Sequence, residues 1–291
     1  MTNCRGPLFV LAGSLCYSTS GFAQAVFVAD GASPLLTGAI RMVIGGLALT
    51  AWCACTGRLP RREGWPPLTM ALCCLCMIGY QLFFFRGVLV AGVATGTIVT
   101  IGTVPLAAAG LAAIFLKERP APIWYPATVL AIAGVVLLNW SDGALHWDKM
   151  TWPVLAALSY AVYLVACKPL TRRHRPETIL MVLLLASGAI LAPLAAHSHP
   201  AWLVTPKGFA YMLHLGIVTA AGGYLFSLKG LQSTPTATAG TLGLSEPLCS
   251  MCLGFFCLGE PMTPMALAGI TCILTGALAL ILLPASGTRQ R

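Results

Sequence analysis

The segment TLGLSEPLCSMCLGFFCLGEPMTP, residues 241–264, is apolar enough to lie in a membrane, yet it carries a glutamate followed at once by a proline. A carboxylate inside a hydrophobic helix is energetically costly, and a proline there removes one backbone hydrogen bond. Residues of this kind occur in membrane helices mainly where they face a cavity or a partner, or where the helix bends. Glu246 and Pro247 therefore mark the middle of this segment as a place with a special role.

The composition of the whole chain indicates a membrane protein. Of 291 residues, 58% are hydrophobic and 9% are charged, whereas a soluble domain has about 25% charged residues. Stretches of about 20 apolar residues, the length that crosses a bilayer, follow one another with only short polar breaks. We predict an all-α integral membrane protein with ten transmembrane helices, at approximately 7–28, 34–55, 66–86, 94–116, 121–140, 151–168, 177–196, 207–228, 234–258 and 263–283.

The positive charges are distributed unequally between the two sides that these spans define. The net charge is +9, and thirteen of the seventeen lysines and arginines lie near the termini or in the loops after the second, fourth, sixth and eighth spans. Cytoplasmic loops of membrane proteins carry an excess of this kind. We therefore expect a multi-pass protein of the cell (inner) membrane with both termini in the cytoplasm. Because topology accounts for the basic excess, no nucleic-acid partner is predicted.

The chain contains an internal repeat. At an offset of 142 residues prolines, glycines and acids coincide, as Pro105 does with Pro247. We predict one membrane domain made of two five-helix repeats, residues 1–145 and 146–291. Since five is odd, the second copy would enter the membrane from the opposite side. This is the inverted repeat of many secondary transporters, whose substrate site lies near the midplane between the halves.

Two neighbouring tracts carry a resemblance to a known family. YLFSLKGLQSTPTATAG, at 224–240, and SEPLCSMCLGFFCLGEPMTPMALAGITCILTGALALIL, at 245–282, resemble the EamA-type transporters of the drug/metabolite transporter superfamily. The resemblance extends over the whole chain as two repeats. It implies a basket-shaped carrier that often exports amino acids or related metabolites, with a cavity lined by helices 1, 3, 4, 6, 8 and 9 and with helices 5 and 10 at the periphery. The first repeat departs from the pattern at Val104, where the second has Glu246.

The acidic residues of the spans allow more than one role. Glu246 lies about twelve residues into the ninth span, near the middle of the membrane. It could bind the amine of a substrate or a coupling proton, or it could be a hydrogen-bonded acid that ties two helices together. Glu118 and Glu260 lie just before the fifth and tenth helices, where negative charge stabilises a helix N-terminus. We therefore predict that these two acids cap the helices that follow them.

The two equivalent prolines predict bends in the fourth and ninth helices. Pro105 and Pro247 each deprive the carbonyl four residues earlier of its usual donor. We predict that both act as hinges around a central cavity. Hydroxyl groups such as those of Thr100 and Ser245 are available to satisfy the freed backbone groups, and Thr100 is also a candidate for substrate binding.

Arg41 and five tyrosines complete the candidate substrate-binding residues. Arg41 lies inside the second span and could bind a substrate carboxylate, but it could also pair with Asp30 or extend to the membrane surface. Tyrosines within the spans could stack on apolar or aromatic cargo and donate hydrogen bonds. As an alternative, each could simply pack between helices with its hydroxyl on a carbonyl group. These tyrosines are Tyr17, Tyr80, Tyr160, Tyr163 and Tyr224.

The sequence does not predict an enzyme or a cofactor. It has no phosphate-binding GxxxxGK[ST] motif and no HExxH or GxSxG motif. The twelve cysteines lie almost entirely in apolar helices without nearby histidines, so we expect packing roles and neither a metal site nor a disulfide.

We therefore predict a secondary transporter that exports a small-molecule substrate, with amino acids or related compounds as the expected class. It would lie in the lipid bilayer and work by alternating access. The alternatives are a carrier for drugs or nucleotide sugars and a non-transporting scaffold or sensor with the same fold. The sequence indicates no oligomeric state.

Overall fold

The computed structural model describes residues 5–27, 34–59, 64–138, 149–195, 201–259 and 261–283. Within these ranges the regular structure is helical and contains no strand. The predicted all-α fold class is therefore confirmed.

The first half of the chain forms five helices. They are α1 (Arg5–Phe27), α2 (Pro34–Cys55), α3 (Pro67–Ala91), α4 (Val93–Leu111) and α5 (Trp124–Leu138). Helix α4 continues as a π-helical turn, Ala112–Leu116. Helices α3 and α4 are separated by Gly92 alone, whose φ of 88° lies in the region that favours glycine.

The second half has the same kind of order but more interruptions. Helices α6 (Thr151–Arg173) and α7 (Pro176–Ala195) are followed by the short 3₁₀ turn Ala201–Val204. The eighth predicted span consists of α8 (Pro206–His214), the π-helical segment Leu215–Gly223 and α9 (Tyr224–Leu231). The ninth consists of α10 (Thr236–Leu242), α11 (Ser245–Leu253) and the π-helical turn Gly254–Leu258, and the chain then forms α12 (Pro264–Leu282).

Eight of the described helical segments are long and apolar enough to cross a membrane. They are Leu35–Cys55, Pro67–Ala91, Thr95–Leu116, Thr151–Arg173, Pro176–Pro193, Pro206–Leu231, Thr236–Leu258 and Pro264–Leu282. Helices α1 and α5 stand in the places of the other two predicted spans. Helix α5 is apolar but has 15 residues, and α1 has 23 residues but contains several serines and glycines in its middle. The chain is a multi-pass helical membrane protein.

Glycines set the closest helix contacts. A Cβ atom on Gly46 of α2 would lie 3.0 Å from the backbone nitrogen of Leu185 in α7, and one on Gly188 of α7 would lie 3.0 Å from the nitrogen of Val43 in α2. Because the numbering rises along one helix as it falls along the other, α2 and α7 run antiparallel. Small residues allow helices in a membrane to approach this closely. Helices α5 and α12 form a second pair of the same kind, α3 packs on α6, and α1 packs on Leu215–Gly223 and α9.

The contact between α5 and α12 yields a testable prediction. A Cβ atom on either Gly134 or Gly269 would lie 2.7 Å from the carbonyl oxygen of the other. Gly269→Val therefore forces the two backbones apart, and we expect the free energy of unfolding to fall by about 1–3 kcal/mol. Thermal unfolding in detergent would measure this change. Gly110→Ala is the matched control because a Cβ there meets nothing within 4 Å, and equal unfolding temperatures for the two variants would contradict the prediction.

Glu118 caps a helix, but it is not the helix predicted from the sequence. Its Oε2 atom accepts a hydrogen bond from the backbone nitrogen of Thr236 at 2.9 Å, at the start of α10. Its Oε1 atom pairs with Nζ of Lys168 in α6 at 2.8 Å. Lys117 has a left-handed conformation, with φ of 56°, which turns the chain immediately before Glu118. The prediction that Glu118 caps α5 is therefore wrong, and Glu260 lies outside the described residues.

Candidate substrate cavity

A cavity with a volume of about 360 Å³ is lined by residues from both halves of the chain. Pockets for small organic ligands have volumes of about 300–1,000 Å³. Its described lining comes from α1, α2, α3, α4 and α6, and from the eighth and ninth spans. Helices α5 and α12 contribute nothing to this described lining, in agreement with the prediction. Helix α2, which was not among the six predicted lining helices, contributes Thr37 and the candidate residue Arg41.

The ninth span is broken beside the cavity, next to Glu246 and Pro247. Helix α10 ends at Leu242 and α11 begins at Ser245. Pro247 has no N–H group to donate to the carbonyl oxygen of Gly243. This oxygen instead accepts a hydrogen bond from the backbone nitrogen of Glu246 at 3.0 Å. The hydroxyl of Ser245 donates to the carbonyl oxygen of Leu242 at 2.7 Å and not to that of Gly243. The carbonyl groups of Leu242 and Gly243 at the break therefore both have hydrogen-bond donors nearby.

The equivalent proline in the first half does not break its helix. Helix α4 runs from Val93 to Leu111 through Pro105, so the fourth span is not interrupted at its proline in the way that the ninth span is. The two prolines differ in the glycines that precede them. Gly240 and Gly243 come shortly before Pro247, whereas Gly102 is the nearest glycine to Pro105. A Cβ atom on Gly240 would lie 3.2 Å from the Cα atom of Pro105. The proline of α4 therefore packs directly on α10.

Glu246 lies in the first turn of α11 and lines the cavity. Its carboxylate forms no hydrogen bond or ion pair with the other residues that the structure describes. The break that starts α11 places this carboxylate at a helix N-terminus, where the backbone dipole stabilises negative charge. An acid in such a position is available to bind a cationic group that enters the cavity.

Arg41 lines the same cavity as Glu246. The Nη2 atom of Arg41 donates a hydrogen bond to Oε1 of Gln81 in α3, at 3.1 Å. Asp30, the alternative partner considered for Arg41, lies outside the described residues. The structure therefore brings together a cation from α2 and an acid from α11.

The five predicted tyrosines form a continuous chain of ring contacts. Tyr80 contacts Tyr160 with a centroid distance of 5.3 Å, and Tyr160 stacks on Tyr163 at 5.8 Å. Tyr224 contacts Tyr163 at 6.1 Å and Tyr17 at 5.4 Å. All except Tyr163 line the cavity. Tyr163 is buried and contacts the rings of Tyr160 and Tyr224 without lining the cavity itself.

Thr100, the remaining candidate, also lines the cavity. Its hydroxyl donates to the carbonyl oxygen of Pro153 at 3.2 Å, so it ties α4 to the start of α6. It does not satisfy the carbonyl group freed by Pro105.

Sequence reasoning missed several polar residues of the cavity. One of the most buried is Gln81, with 2% of its surface exposed. A lone amide in an apolar span carries a cost of the same kind as a lone charge, and this signal could have identified it. The other missed polar residues of the lining are Ser14, Ser20, Thr37, Thr97, Tyr211, Thr219 and Ser227.

A helical membrane protein with a cavity lined by residues from both halves of the chain has the arrangement of a transporter. The sequence pattern of the EamA-like transporter family matches residues 5–140 and again residues 149–282. The chain belongs to this family. It is therefore a membrane transporter of EamA type and not an enzyme.

Several known proteins are similar to this chain. One is the uncharacterized transporter YwfM of Bacillus subtilis (strain 168), 34% identical over 95% of this chain and 94% of its own length. The threonine/homoserine exporter RhtA of Escherichia coli (strain K12) is 29% identical over 67% of this chain and 68% of its own length. A probable terminal-alkyne amino-acid exporter of Streptantibioticus cattleyicolor is 26% identical over 79% of this chain and 77% of its own length.

One solved structure, described as "Crystal structure of protein", has the same fold. It matches with a TM-score of 0.85 and covers 97% of this chain and 98% of its own chain, at 21% sequence identity.

Proposed function

We propose that this protein is a secondary transporter that exports amino acids or related small metabolites across the cell (inner) membrane by alternating access. The observation that carries this proposal is that one cavity holds both Arg41 and Glu246. A zwitterion needs a cation for its carboxylate and an acid for its ammonium group. Two relatives named as exporters of amino acids, at 29% and 26% identity, support the same class of substrate.

In the proposed binding mode Arg41 binds the carboxylate and Glu246 binds the ammonium group. The lining tyrosines pack on the side chain of the substrate and offer hydroxyl groups. Tyr163 does not contact the substrate in this mode, and its role is to hold Tyr160 and Tyr224 in position. Thr100 positions the wall of the cavity through its bond to α6.

The proposed architecture is a ten-helix inverted repeat, with residues 1–145 and 146–291 as the two units. The glycine contacts between α2 and α7 support it, because the offset of 142 residues converts each of the two contacts into the other. The pairs α3 with α6 and α1 with the eighth span correspond in the same way. The excess of cations on one side supports cytoplasmic termini.

Pro105 and Pro247 are the proposed hinges, and Pro247 can be tested directly. Pro247→Ala restores a backbone donor that can bind the carbonyl oxygen of Gly243, so α10 and α11 can join into one helix. We expect the rate of exchange to fall by about tenfold, because motion at a hinge often limits turnover, with no loss of thermal stability. Pro193→Ala in α7 is the matched control, since α7 does not contribute to the described lining. Equal rates for the two variants would contradict a hinge at Pro247.

Counterflow in proteoliposomes tests the proposed function. Vesicles containing the purified protein are loaded with unlabelled amino acids, sugars or nucleotide sugars, and uptake of the labelled compounds is followed. We expect saturable exchange of amino acids. Exchange confined to nucleotide sugars or drugs would favour that alternative, and no exchange by folded protein across the panel would favour a scaffold or sensor.

A further inference from the structure

Hydrogen-bond donors without acceptors lie close together in the lining of the cavity, around Gln81. Arg41 donates from Nη2 to Oε1 of Gln81, and a guanidinium group has no acceptor. This bond fixes the orientation of the amide, so Nε2 of Gln81 is the donor left over. Both Nε2 of Gln81 and Nε of Arg41 are buried and have no partner in the described part of the chain.

The hydroxyl of Thr37 belongs to the same group. Thr37 lies one helical turn before Arg41 on α2, lines the cavity, and also lacks a partner among the described residues. Gly38 lies beside it, and a Cβ atom on Gly38 would be 2.7 Å from Nε2 of Gln81. The amide of Gln81 therefore extends from Arg41 to the backbone of α2 next to Thr37.

The chemistry of this group selects an anion. The guanidinium and amide nitrogens can only donate, one of the three side chains is a cation, and the hydroxyl of Thr37 can rotate to donate as well. The ion pairs within the described residues are Arg58 with Glu177 and Lys168 with Glu118, so Arg41 has no carboxylate partner there. An unmade hydrogen bond at a buried polar group is costly. A ligand carboxylate would supply two acceptor oxygens at once.

We propose that Arg41, Gln81 and Thr37 form a carboxylate subsite, and that Gln81 is the residue that selects an α-amino acid over its amide. This inference rests on the amino-acid carrier function proposed above. A substrate carboxylate accepts from Nε of Arg41 and from Nε2 of Gln81. In a carboxamide an NH₂ group replaces one of these oxygens, and it would face one of the two donor nitrogens. Neither that nitrogen nor the NH₂ group would then have an acceptor. A site built to hydrogen-bond one group rejects an analogue that cannot form that bond.

Counterflow with three related compounds tests the subsite: an α-amino acid, its carboxamide and the corresponding decarboxylated amine. We expect the wild-type protein to exchange the acid at least about tenfold faster than the amide. Gln81→Met, which has a similar size and no donor, should lower exchange of the acid by about tenfold. Gln81→Glu should reverse the preference, because its carboxylate pairs with Arg41, repels the acid and accepts from the amide.

A second variant removes no polar group of the subsite. Gly38→Ala puts a methyl group against the flexible end of Gln81, so the protein folds while the amide is displaced. We expect the ratio of acid to amide exchange to fall with no loss of thermal stability. Gly110→Ala, where a Cβ meets nothing within 4 Å, should keep the ratio of the wild-type protein.

The outcomes separate this inference from the proposed function. If the wild-type protein exchanges amino acids but the Gln81 and Gly38 variants keep its ratio of acid to amide, the carboxylate subsite is overturned and the carrier proposal stands. If the wild-type protein exchanges only compounds of another class, both are overturned. A reversed ratio in Gln81→Glu, with a reduced ratio in Gly38→Ala, establishes the subsite.

Discussion

Replacing Glu246 with glutamine is expected to lower the rate of amino-acid exchange by about 100-fold while leaving the protein folded. Glutamine keeps the size of the side chain but removes the negative charge that binds the ammonium group. Removing one partner of a buried, hydrogen-bonded charge pair costs about 2–5 kcal/mol, and about 1.4 kcal/mol corresponds to a factor of ten. Counterflow at saturating and limiting substrate concentrations would measure the change.

Glu177→Gln is the matched control for this variant. Glu177 is a buried acid that pairs with Arg58 at 3.1 Å and is not among the residues that line the cavity. Its replacement should leave exchange nearly unchanged. If Glu246 carries a coupling proton instead, Glu246→Gln should still exchange substrate but lose the pH dependence of transport. Unchanged exchange with unchanged pH dependence would contradict both roles.

The second large effect is expected on stability, from the ion pair between Lys168 and Glu118. The side chains of these residues are 8% and 16% exposed, and Nζ of Lys168 also donates to the carbonyl oxygen of Thr234 at 2.6 Å. Lys168→Met leaves the carboxylate of Glu118 largely buried without its cation. Breaking a buried pair in this way costs about 3–5 kcal/mol. We therefore expect a marked decrease in the midpoint of unfolding in detergent.

A double variant distinguishes the loss of the pair from the loss of the lysine itself. Lys168→Met combined with Glu118→Gln removes both charges, and it should recover much of the lost stability. Lys117→Met, at an exposed lysine, should change the unfolding midpoint little. A double variant as unstable as Lys168→Met alone would show that the pair is not the source of the effect.

Local patterns in the sequence were sufficient to predict the all-α membrane fold and the order of the helices. Apolar stretches of bilayer length must form helices, because no water is present to satisfy the backbone. The same reasoning identified Glu246 and Arg41 as unusual, since charges within a span are costly. It applied equally to Gln81, which was overlooked although it is a buried amide in the lining of the cavity.

The partners of these residues were decided by the tertiary structure alone. Arg41 and Gln81 are 40 positions apart, and Glu118 caps a helix 118 positions further along the chain. Equivalent prolines gave a broken helix in one half and a continuous helix in the other. Local patterns specify where a helix forms and how apolar it is. How it is rotated and which helix packs against it depend on contacts between distant segments, and these contacts determine which polar groups share the cavity.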